Sequence, residues 1–261
     1  MCADPKRGGD PKGGGNLRIA FIGCMVMFRE LSALMAESGH VFRPFWQPQG
    51  LHNTPDLLRE NVQRAVDEVE EYNASAPEHL RFEAIVLGYG LCSNGTVGLR
   101  ARGIPVVIPR CDDCVTLFLG SRERYLREFH AVSGTFWYSR GWMEQGDMPG
   151  PEAFERQRQE FMETYEDEEL VDYLCEAEQS WIRNYERAAY ITSPRGDSDE
   201  LKAKVCSDAE SFGWRYEELP GDLGFFEKLA AADWDEEWFL TCPPGCEVKA
   251  DYTGKLFTAG K

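Results

Sequence analysis

The fold class of this chain is indicated most clearly by residues 84–129, AIVLGYGLCSNGTVGLRARGIPVVIPRCDDCVTLFLGSRERYLREF. Its two apolar runs, residues 84–87 and 104–109, are short, β-branched and not alternating, which is typical of strands buried on both faces of a sheet. Each run leads through a turn into a predicted helix, the first over residues 94–102 and the second over 116–129. The stretch therefore predicts two neighbouring strand–helix units of a parallel sheet.

The same alternation extends in both directions along the chain. Before this stretch, strands are predicted at 17–23 and 41–46, with helices after each, and a fifth strand is predicted from residue 135. These elements predict a doubly wound, mostly parallel α/β sheet over residues 17–145. Residues 146–261 contain a charged helical segment and a weaker strand–helix alternation, which predict a second, smaller α/β lobe. The polar, glycine-rich residues 1–16 predict a flexible tail.

Composition narrows the class of protein. The chain has 261 residues, of which 43% are hydrophobic, and a formal net charge of -17, which argues against binding to a nucleic-acid backbone. The most apolar run, residues 19–28, is about half the ~20 residues needed to span a bilayer, so no membrane association is expected. The N-terminus lacks the apolar core of a signal peptide, which predicts a cytoplasmic protein.

Cysteine is the residue type that points to chemistry. The chain has nine cysteines, and in a cytoplasmic setting metal binding or reactive thiols explain them better than disulfides. Cys24, Cys92 and Cys114 each follow a different predicted strand, and the carboxyl ends of parallel strands share one edge of the sheet. Thiolates bind zinc, Cu(I) and iron–sulfur clusters, so three of them predict a metal site with an open position. Any one of them alone would be read as a buried packing residue.

Three further residues are candidates at the same edge. Cys111 forms a C-x-x-C pair with Cys114, which admits two bonds to one metal or a redox-active dithiol. Asp113 is a candidate for proton transfer or support of a ligand, although one of the two aspartates before the helix is expected to cap it. His52, in the loop after the second strand, is a candidate fourth ligand or acid–base group. Cys242 and Cys246 remain an open alternative for completing the site.

A second group of candidates concerns small-molecule binding. Gly88, Tyr89 and Gly90 resemble the opening of a nucleotide-binding turn, but Gly95 departs from the G-x-G-x-x-G spacing. Arg110 is a candidate for binding an anionic substrate, with pairing to surface acids as the alternative. These four residues are predicted as cofactor or substrate contacts.

Taken together, these motifs resemble a family of unknown function found in methanogens and anaerobic bacteria, often encoded near corrinoid-dependent methyltransferases. The resemblance runs from residue 17 onward. In this chain Asp112 stands where the family pattern has histidine, and Cys111 is an addition. The resemblance implies an anaerobic setting and a link to one-carbon metabolism. The segments that carry it are Cys24, LHNTP at 51–55, GYGLC at 88–92, PR at 109–110, DC at 113–114, LGS at 119–121 with Tyr125, and GW at 141–142.

Three functional hypotheses follow. The first is a metalloprotein that holds a [4Fe-4S] cluster, or zinc as the alternative, and acts on a small molecule as an enzyme or accessory factor. The second is a non-catalytic module that binds a corrinoid or a methyltransferase component, for which an acidic surface suits a basic partner. The third is a dithiol redox protein that uses Cys111 and Cys114.

Overall fold

The computed structural model describes residues 15–261, so residues 1–14 of the predicted tail lie outside the described part of the chain. Besides short 3-10 turns, the elements in chain order are β1 (Arg18–Cys24), α1 (Phe28–Glu37), β2 (Val41–Gln47), α2 (Pro55–Ser75), β3 (Ala84–Gly88), β4 (Val106–Pro109), α3 (Cys114–Leu119), α4 (Arg122–Ala131), β5 (Thr135–Ser139), α5 (Arg140–Gln145), α6 (Pro151–Thr164), α7 (Glu168–Gln179), β6 (Arg187–Thr192), α8 (Asp199–Phe212), β7 (Arg215–Pro220), α9 (Gly224–Ala230), β8 (Phe239–Cys242), β9 (Glu247–Asp251) and β10 (Leu256–Gly260).

The first unit contains residues 15–117 and 224–261 and is built on a five-stranded sheet. Its strand order is β2-β1-β3-β4-β8; the first four strands are parallel and β8 is antiparallel to β4. Strands β3 and β4 are buried along their whole length, as their unbroken apolar runs predict. The predicted α/β class with a mostly parallel sheet is therefore confirmed.

The second unit, residues 118–223, has a parallel sheet of its own in the order β5-β6-β7. Its core combines apolar residues of β5, β6 and α8 with the ring of Trp214, which lies directly before β7. Helices α6 and α7 are largely exposed to solvent: among their residues only Val171 is buried. The predicted charged helical segment thus corresponds to two largely solvated helices joined by residues 165–167.

The two units divide the chain differently from the predicted boundary near residue 145. Strand β5 pairs with β6 in the second unit, and β8 returns to pair with β4 in the first. Hydrophobic periodicity identifies a strand but carries no information on which distant strand it will pair with. The hairpin of β9 and β10 was not predicted at all, because its polar residues give no clear apolar alternation.

Two predicted helices also differ from the structure. The helix predicted over 94–102 is absent: residues 92–98 form turns, and Cys92, Ser93 and Asn94 all have positive φ. The single helix predicted over 116–129 is divided into α3 and α4 at Gly120, which has a φ of +80°. In both places the backbone turns into the left-handed region, which ends a right-handed helix.

Among residues 15–261, no helix is both long and apolar enough to cross a membrane.

Arg110, at the end of β4, has a structural role that the sequence did not indicate. Its Nε donates to the carbonyls of Glu236 and Phe239 at 2.9 and 3.2 Å, and its Nη1 donates to those of Lys255 and Phe257 at 2.7 and 2.6 Å. One guanidinium thus satisfies four backbone acceptors from the C-terminal strands and their connections. The predicted contact of Arg110 with a substrate anion stays a prediction. Its guanidinium already donates hydrogen bonds to backbone carbonyls of β8 and β10.

Replacing Arg110 with glutamine is expected to lower the free energy of unfolding by about 2 kcal/mol, because four backbone carbonyls lose a charge-assisted donor. Arg100→Gln is the matched control. Arg100 contacts the same C-terminal segment through an exposed ion pair with Glu247 at 3.7 Å, and its loss should cost less than about 0.5 kcal/mol. Urea unfolding measures both, and equal costs would contradict this role for Arg110.

Candidate functional site

The candidate site lies where strand order reverses in the first sheet. Strand β1 leads to its neighbour β2 on one side, and the chain then crosses over to β3 on the other side. Gly23 and Gly88 are paired across β1 and β3, so Cys24 and Tyr89 follow at equivalent positions on the two strands. In open α/β sheets, ligands bind in the crevice beyond the carboxyl ends at such a switch point.

Two hydrogen bonds join the turns that follow β3 and β4. The amide of Leu91 donates to the carbonyl of Cys111, and that of Cys92 donates to the carbonyl of Asp112, both at 2.9 Å. These bonds link the two turns three and four residues after β3 ends, outside the strand pairing itself. These bonds fix Cys92 relative to the C-x-x-C segment, which sequence spacing alone could not do.

Gly90 permits this close approach. A Cβ at residue 90 would lie 2.5 Å from the carbonyl oxygen of Cys111 and 2.7 Å from its Sγ. The buried hydroxyl of Thr96 donates to the Gly90 carbonyl at 2.9 Å and closes the turn. Backbone packing against Cys111 therefore accounts for a glycine here. Gly88 has a similar reason, since a Cβ there would lie 2.5 Å from the Phe21 ring. The nucleotide contact predicted for Gly88 and Gly90 stays a prediction.

The turn after Cys92 has an uncommon backbone. Cys92, Ser93 and Asn94 have φ values of 46°, 57° and 66°, three consecutive residues in the left-handed region. The amide of Gly95 closes the turn onto the Cys92 carbonyl at 3.0 Å. For residues with a Cβ this conformation costs roughly 1 kcal/mol each, and such strain is concentrated at functional sites. Cys92 is therefore presented by a strained turn instead of the predicted helix.

The four candidate cysteines interact electrostatically with one another. Cys24 and Cys92 are 7% exposed, Cys111 is fully buried and Cys114 is half-buried. Burial raises the pKa of the Cys92 thiol to about 12, with contributions from the charges of Asp113 and Cys24. The pKa of Cys114 is raised well above its usual range. Burial is the largest cause, and the charges of Asp113 and of the thiols of Cys92, Cys24 and Cys111 add to it. The pKa values of Cys24 and Cys111 are also raised, chiefly by burial.

Tyr89 completes this group. Its side chain is 5% exposed, and its hydroxyl has no hydrogen-bond partner within residues 15–261. Burial raises the pKa of the Tyr89 phenol far above its usual range, and the charges of Cys24, Cys92 and Cys114 raise it further. The Tyr89 hydroxyl is thus buried and unsatisfied, and it interacts electrostatically with the three thiols predicted as ligands. Buried polar groups are almost always hydrogen-bonded, so this one marks the edge of the sheet as a candidate site.

Asp113 and His52 lie together at the edge of the cluster. One carboxylate oxygen of Asp113 accepts from the amide of Thr116 at 3.1 Å, so this aspartate caps α3, the role expected of one of the pair. His52 is exposed in the 3-10 turn Leu51–Asn53. Desolvation lowers the pKa of His52 and the charge of Asp113 partly offsets it, which shows that the two groups interact. Their predicted roles in proton transfer or ligation are untested.

Cys242 and Cys246 lie away from this group. Cys242 pairs with Val106 at the amino end of β4, opposite the edge that carries the cluster. Its pKa is raised to about 12 by burial and by the charges of Cys246 and Glu247, so these two cysteines neighbour each other at the amino edge. Because β8 is antiparallel, its last residue cannot reach the carboxyl edge. The open alternative that Cys242 or Cys246 completes the site is therefore corrected.

A metal ligand set has not been demonstrated by the geometry. Within residues 15–261, no three His, Cys, Asp or Glu groups stand in an arrangement that could hold a metal ion. Metal binding by Cys24, Cys92, Cys111 and Cys114 therefore stays a prediction. Tyr89 was predicted from the sequence as a cofactor or substrate contact, and this stays a prediction; its electrostatic interaction with the thiols was not predicted.

These features define an α/β protein with a buried thiol cluster at the switch point of a parallel sheet. A family model described as "Protein of unknown function (DUF1638)" matches residues 46–230, more than two thirds of the chain, and the chain belongs to this family. No curated protein and no solved structure matches the chain. The match includes Cys92, Cys111 and Cys114 and begins after Cys24. The predicted membership of a family of unknown function is confirmed; its link to methanogens and corrinoid methyltransferases stays a prediction.

Gly90→Ala is expected to destabilise the protein by about 3 kcal/mol, because the added methyl group meets the Cys111 backbone and sulfur, neither of which can yield without opening the two turns. Gly103→Ala provides the control, since a Cβ there meets only the Glu70 carboxylate at an ordinary 3.6 Å. Thermal and urea unfolding compare the two variants. A Gly90 variant as stable as the Gly103 variant would show that the turns are not held as described.

The metal-free protein should lose stability as pH rises above about 9, because folded thiols with raised pKa values stay neutral while the unfolded thiols ionise. Their stabilising contribution is complete below the ordinary pKa of 9.0 and is lost towards 12. For Cys92 the loss between pH 9 and 10 is about 1 kcal/mol. Cys92→Ser should reduce the alkaline loss by that amount in urea titrations, whereas Cys206→Ser, on α8, should not. Parallel curves for wild type and Cys92→Ser would contradict this.

Proposed function

We propose that this protein binds a thiolate-held metal centre at the carboxyl edge of its first sheet, through Cys24, Cys92 and Cys114. The centre is an iron–sulfur cluster of the [4Fe-4S] type, with zinc as the alternative. The observation that supports the proposal is that these three cysteines follow neighbouring parallel strands at one edge of the sheet, where the charges of all three act on the buried, unsatisfied hydroxyl of Tyr89. Three protein ligands leave one coordination position open.

The energetics of the thiols favour this over simple packing. Cysteines that only pack have no reason to gather. Burial raises the pKa values of all four, and neighbouring thiols raise those of Cys92, Cys111 and Cys114 further, so ionised thiolates are unfavourable without a counter-charge. A bound cation supplies that counter-charge and makes deprotonation favourable. The strained turn at Cys92 then has a function, since it directs a thiol into the group at the cost of backbone energy.

Cys111 is best explained as a structural member of the cluster. Its sulfur packs on the Gly90 backbone and is fully buried, and the charges that act on Tyr89 are those of Cys24, Cys92 and Cys114. The Cys111 carbonyl also accepts the bond that joins the two turns. We therefore propose the three strand-end cysteines as the ligand set.

A metal with an open position acts as a Lewis acid towards a small molecule bound through oxygen or sulfur, and zinc can also activate a thiol or water for group transfer. The protein's own residues hold the centre, exclude water from it and place Asp113 with His52 at its edge as an acid–base pair. We propose a cytoplasmic, anaerobic setting in one-carbon or sulfur metabolism, as the family resemblance implies.

A dithiol function for Cys111 and Cys114 is the second candidate, because the charge of Cys111 acts on Cys114 within the C-x-x-C motif. This function requires Cys111, whereas the metal function does not. Binding of a corrinoid or a methyltransferase component without a metal is the remaining alternative, and the net charge of -17 supports a basic partner for it.

The test is the iron, acid-labile sulfide and zinc content of protein purified without oxygen, together with its absorption spectrum. Cys24→Ser, Cys92→Ser and Cys114→Ser should each lose the metal, because two thiolates hold either centre poorly. Cys111→Ser and the control Cys206→Ser should keep it.

Full metal content in the Cys92 and Cys114 variants would refute the metal centre. Loss of function in Cys111→Ser with the metal retained would favour the dithiol. A metal-free protein that co-purifies with a partner would favour the accessory module.

A further inference from the structure

The connection between β5 and β6 is much longer than their pairing requires. The two strands are parallel neighbours, and such strands need a crossover of about a dozen residues or more, usually a single helix. Here residues 140–186 lie between them and contain α5, α6 and α7. Helices α6 and α7 contact each other and are joined by residues 165–167. This pair of helices is thus an addition that the second sheet does not need for its strand order.

The apolar face of α7 is only half covered by the rest of the chain. With 3.6 residues per turn, its apolar residues form one continuous arc. One edge of the arc is covered, since Val171 is buried and Leu174 is half-buried. The other edge is exposed: Leu170 is 39% exposed and Tyr173 is 68% exposed. These two residues are three apart, so they lie side by side on the helix surface. An exposed apolar edge of this kind is typical of an interaction surface.

Acidic residues surround this exposed edge. Residues 163–172 contain six acids and no lysine or arginine, and all six acids are exposed. Among the described residues only Asp172 of these six forms an ion pair, with Arg158 at 3.1 Å. Glu168 and Glu169 lie in the first turn of α7, directly before Leu170. Most of this negative charge is therefore not balanced by the chain itself.

Charge decides what kind of partner fits this surface. A nucleic acid, or a second copy of this chain with its net charge of -17, would bring like charge to the acids. A basic protein surface would bring opposite charge, and its apolar side chains would cover Leu170 and Tyr173. Tyrosine is enriched among the residues that dominate binding energy in protein interfaces. The acids would then steer the partner and select it by charge.

We infer that the first two turns of α7, through Glu168, Glu169, Leu170 and Tyr173, form a docking surface for a protein partner that presents lysine or arginine side chains beside apolar ones. Apolar contact supplies most of the affinity, and the acids make the binding selective and sensitive to salt. The metal centre takes no part in this binding, so the failure of one leaves the other standing.

Three synthetic peptides can test the charged and apolar parts of this surface separately. The first is an amphipathic helix of lysine and leucine; in the other two, serine replaces leucine or glutamate replaces lysine. Fluorescence anisotropy of the labelled peptides at low salt should show that the wild-type protein binds the lysine–leucine peptide more tightly than either analogue. Added salt should weaken this binding, because exposed charges are screened.

Reversing two charges tests the acidic part. Glu168→Lys combined with Glu169→Lys should weaken binding of the lysine–leucine peptide about tenfold, because two attractions become repulsions. Asp199→Lys combined with Glu200→Lys is the matched control. These acids are also an exposed pair in the first turn of a helix, α8, and the change in net charge is the same. The control should weaken binding about twofold or less, since only the overall charge changes.

A single substitution tests the apolar part. Tyr173→Ser should weaken binding of the lysine–leucine peptide about fivefold and leave binding of the lysine–serine peptide unchanged. Tyr252→Ser is the matched control, because Tyr252 is a tyrosine that is 86% exposed and lies between β9 and β10. It should bind all three peptides as wild type does.

Circular dichroism confirms that the variants are folded, and their metal content should equal that of wild type. Failure of wild type to bind the lysine–leucine peptide would overturn the inference. Equal loss in the two charge-reversed variants would overturn it by showing that only net charge matters, and so would unchanged binding in Tyr173→Ser. Sedimentation that finds a wild-type dimer and a Tyr173→Ser monomer would also overturn it, since a second copy would then cover this face.

Discussion

The two hydrogen bonds between the turns after β3 and β4 are the constraint on which the candidate site depends. They join Leu91 to Cys111 and Cys92 to Asp112, and they form only because Gly90 lets one backbone lie directly on the other. The first turn carries Tyr89 and Cys92, and the second carries Asp113 and Cys114. Cys24 needs no such link, since β1 pairs with β3 up to Gly23 and Gly88. The positions of the three strand-end thiols thus follow from strand pairing and from these two bonds between the turns.

Part of this was readable from the sequence and part was not. A cysteine within a few residues after each of three buried apolar runs is a local pattern, and parallel pairing brings such residues to one edge whatever the exact topology. The pattern therefore predicted one shared edge for Cys24, Cys92 and Cys114, and β1, β3 and β4 are parallel neighbours in the sheet. It could not place β5 or β8, because each joins a strand far away in sequence and its own residues do not specify the partner. For the same reason the sequence left open whether Cys242 completes the site. The edge of the sheet at which Cys242 lies depends on β8 being antiparallel to β4.

The local details of the site were harder to predict for a different reason. The residues after Cys92 read as a helix start, since serine and asparagine are good caps, yet asparagine also tolerates the left-handed conformation that the structure adopts. Residue propensity alone does not distinguish a helix start from a left-handed turn, because contacts with residues distant in sequence determine which of the two forms. Here the contacts come from Leu58, which lies where a Cβ on Gly95 would be, and from Val248, which accepts from the Gly98 amide at 2.7 Å. The C-terminal hairpin therefore shapes the turn that presents Cys92.

Several unfavourable features are gathered in this one short region. A three-residue left-handed turn and an unsatisfied phenol each reduce the stability of the folded chain, whereas the thiols with raised pKa values do so only once pH rises above about 9. A protein stabilised by only about 5–15 kcal/mol bears such costs at few places. The costs of the turn and of the phenol fall within six residues, Tyr89 to Asn94, directly after the strand that pairs with β1 at the switch point. Their concentration at the place where α/β sheets bind ligands is the physical reason to look for function there.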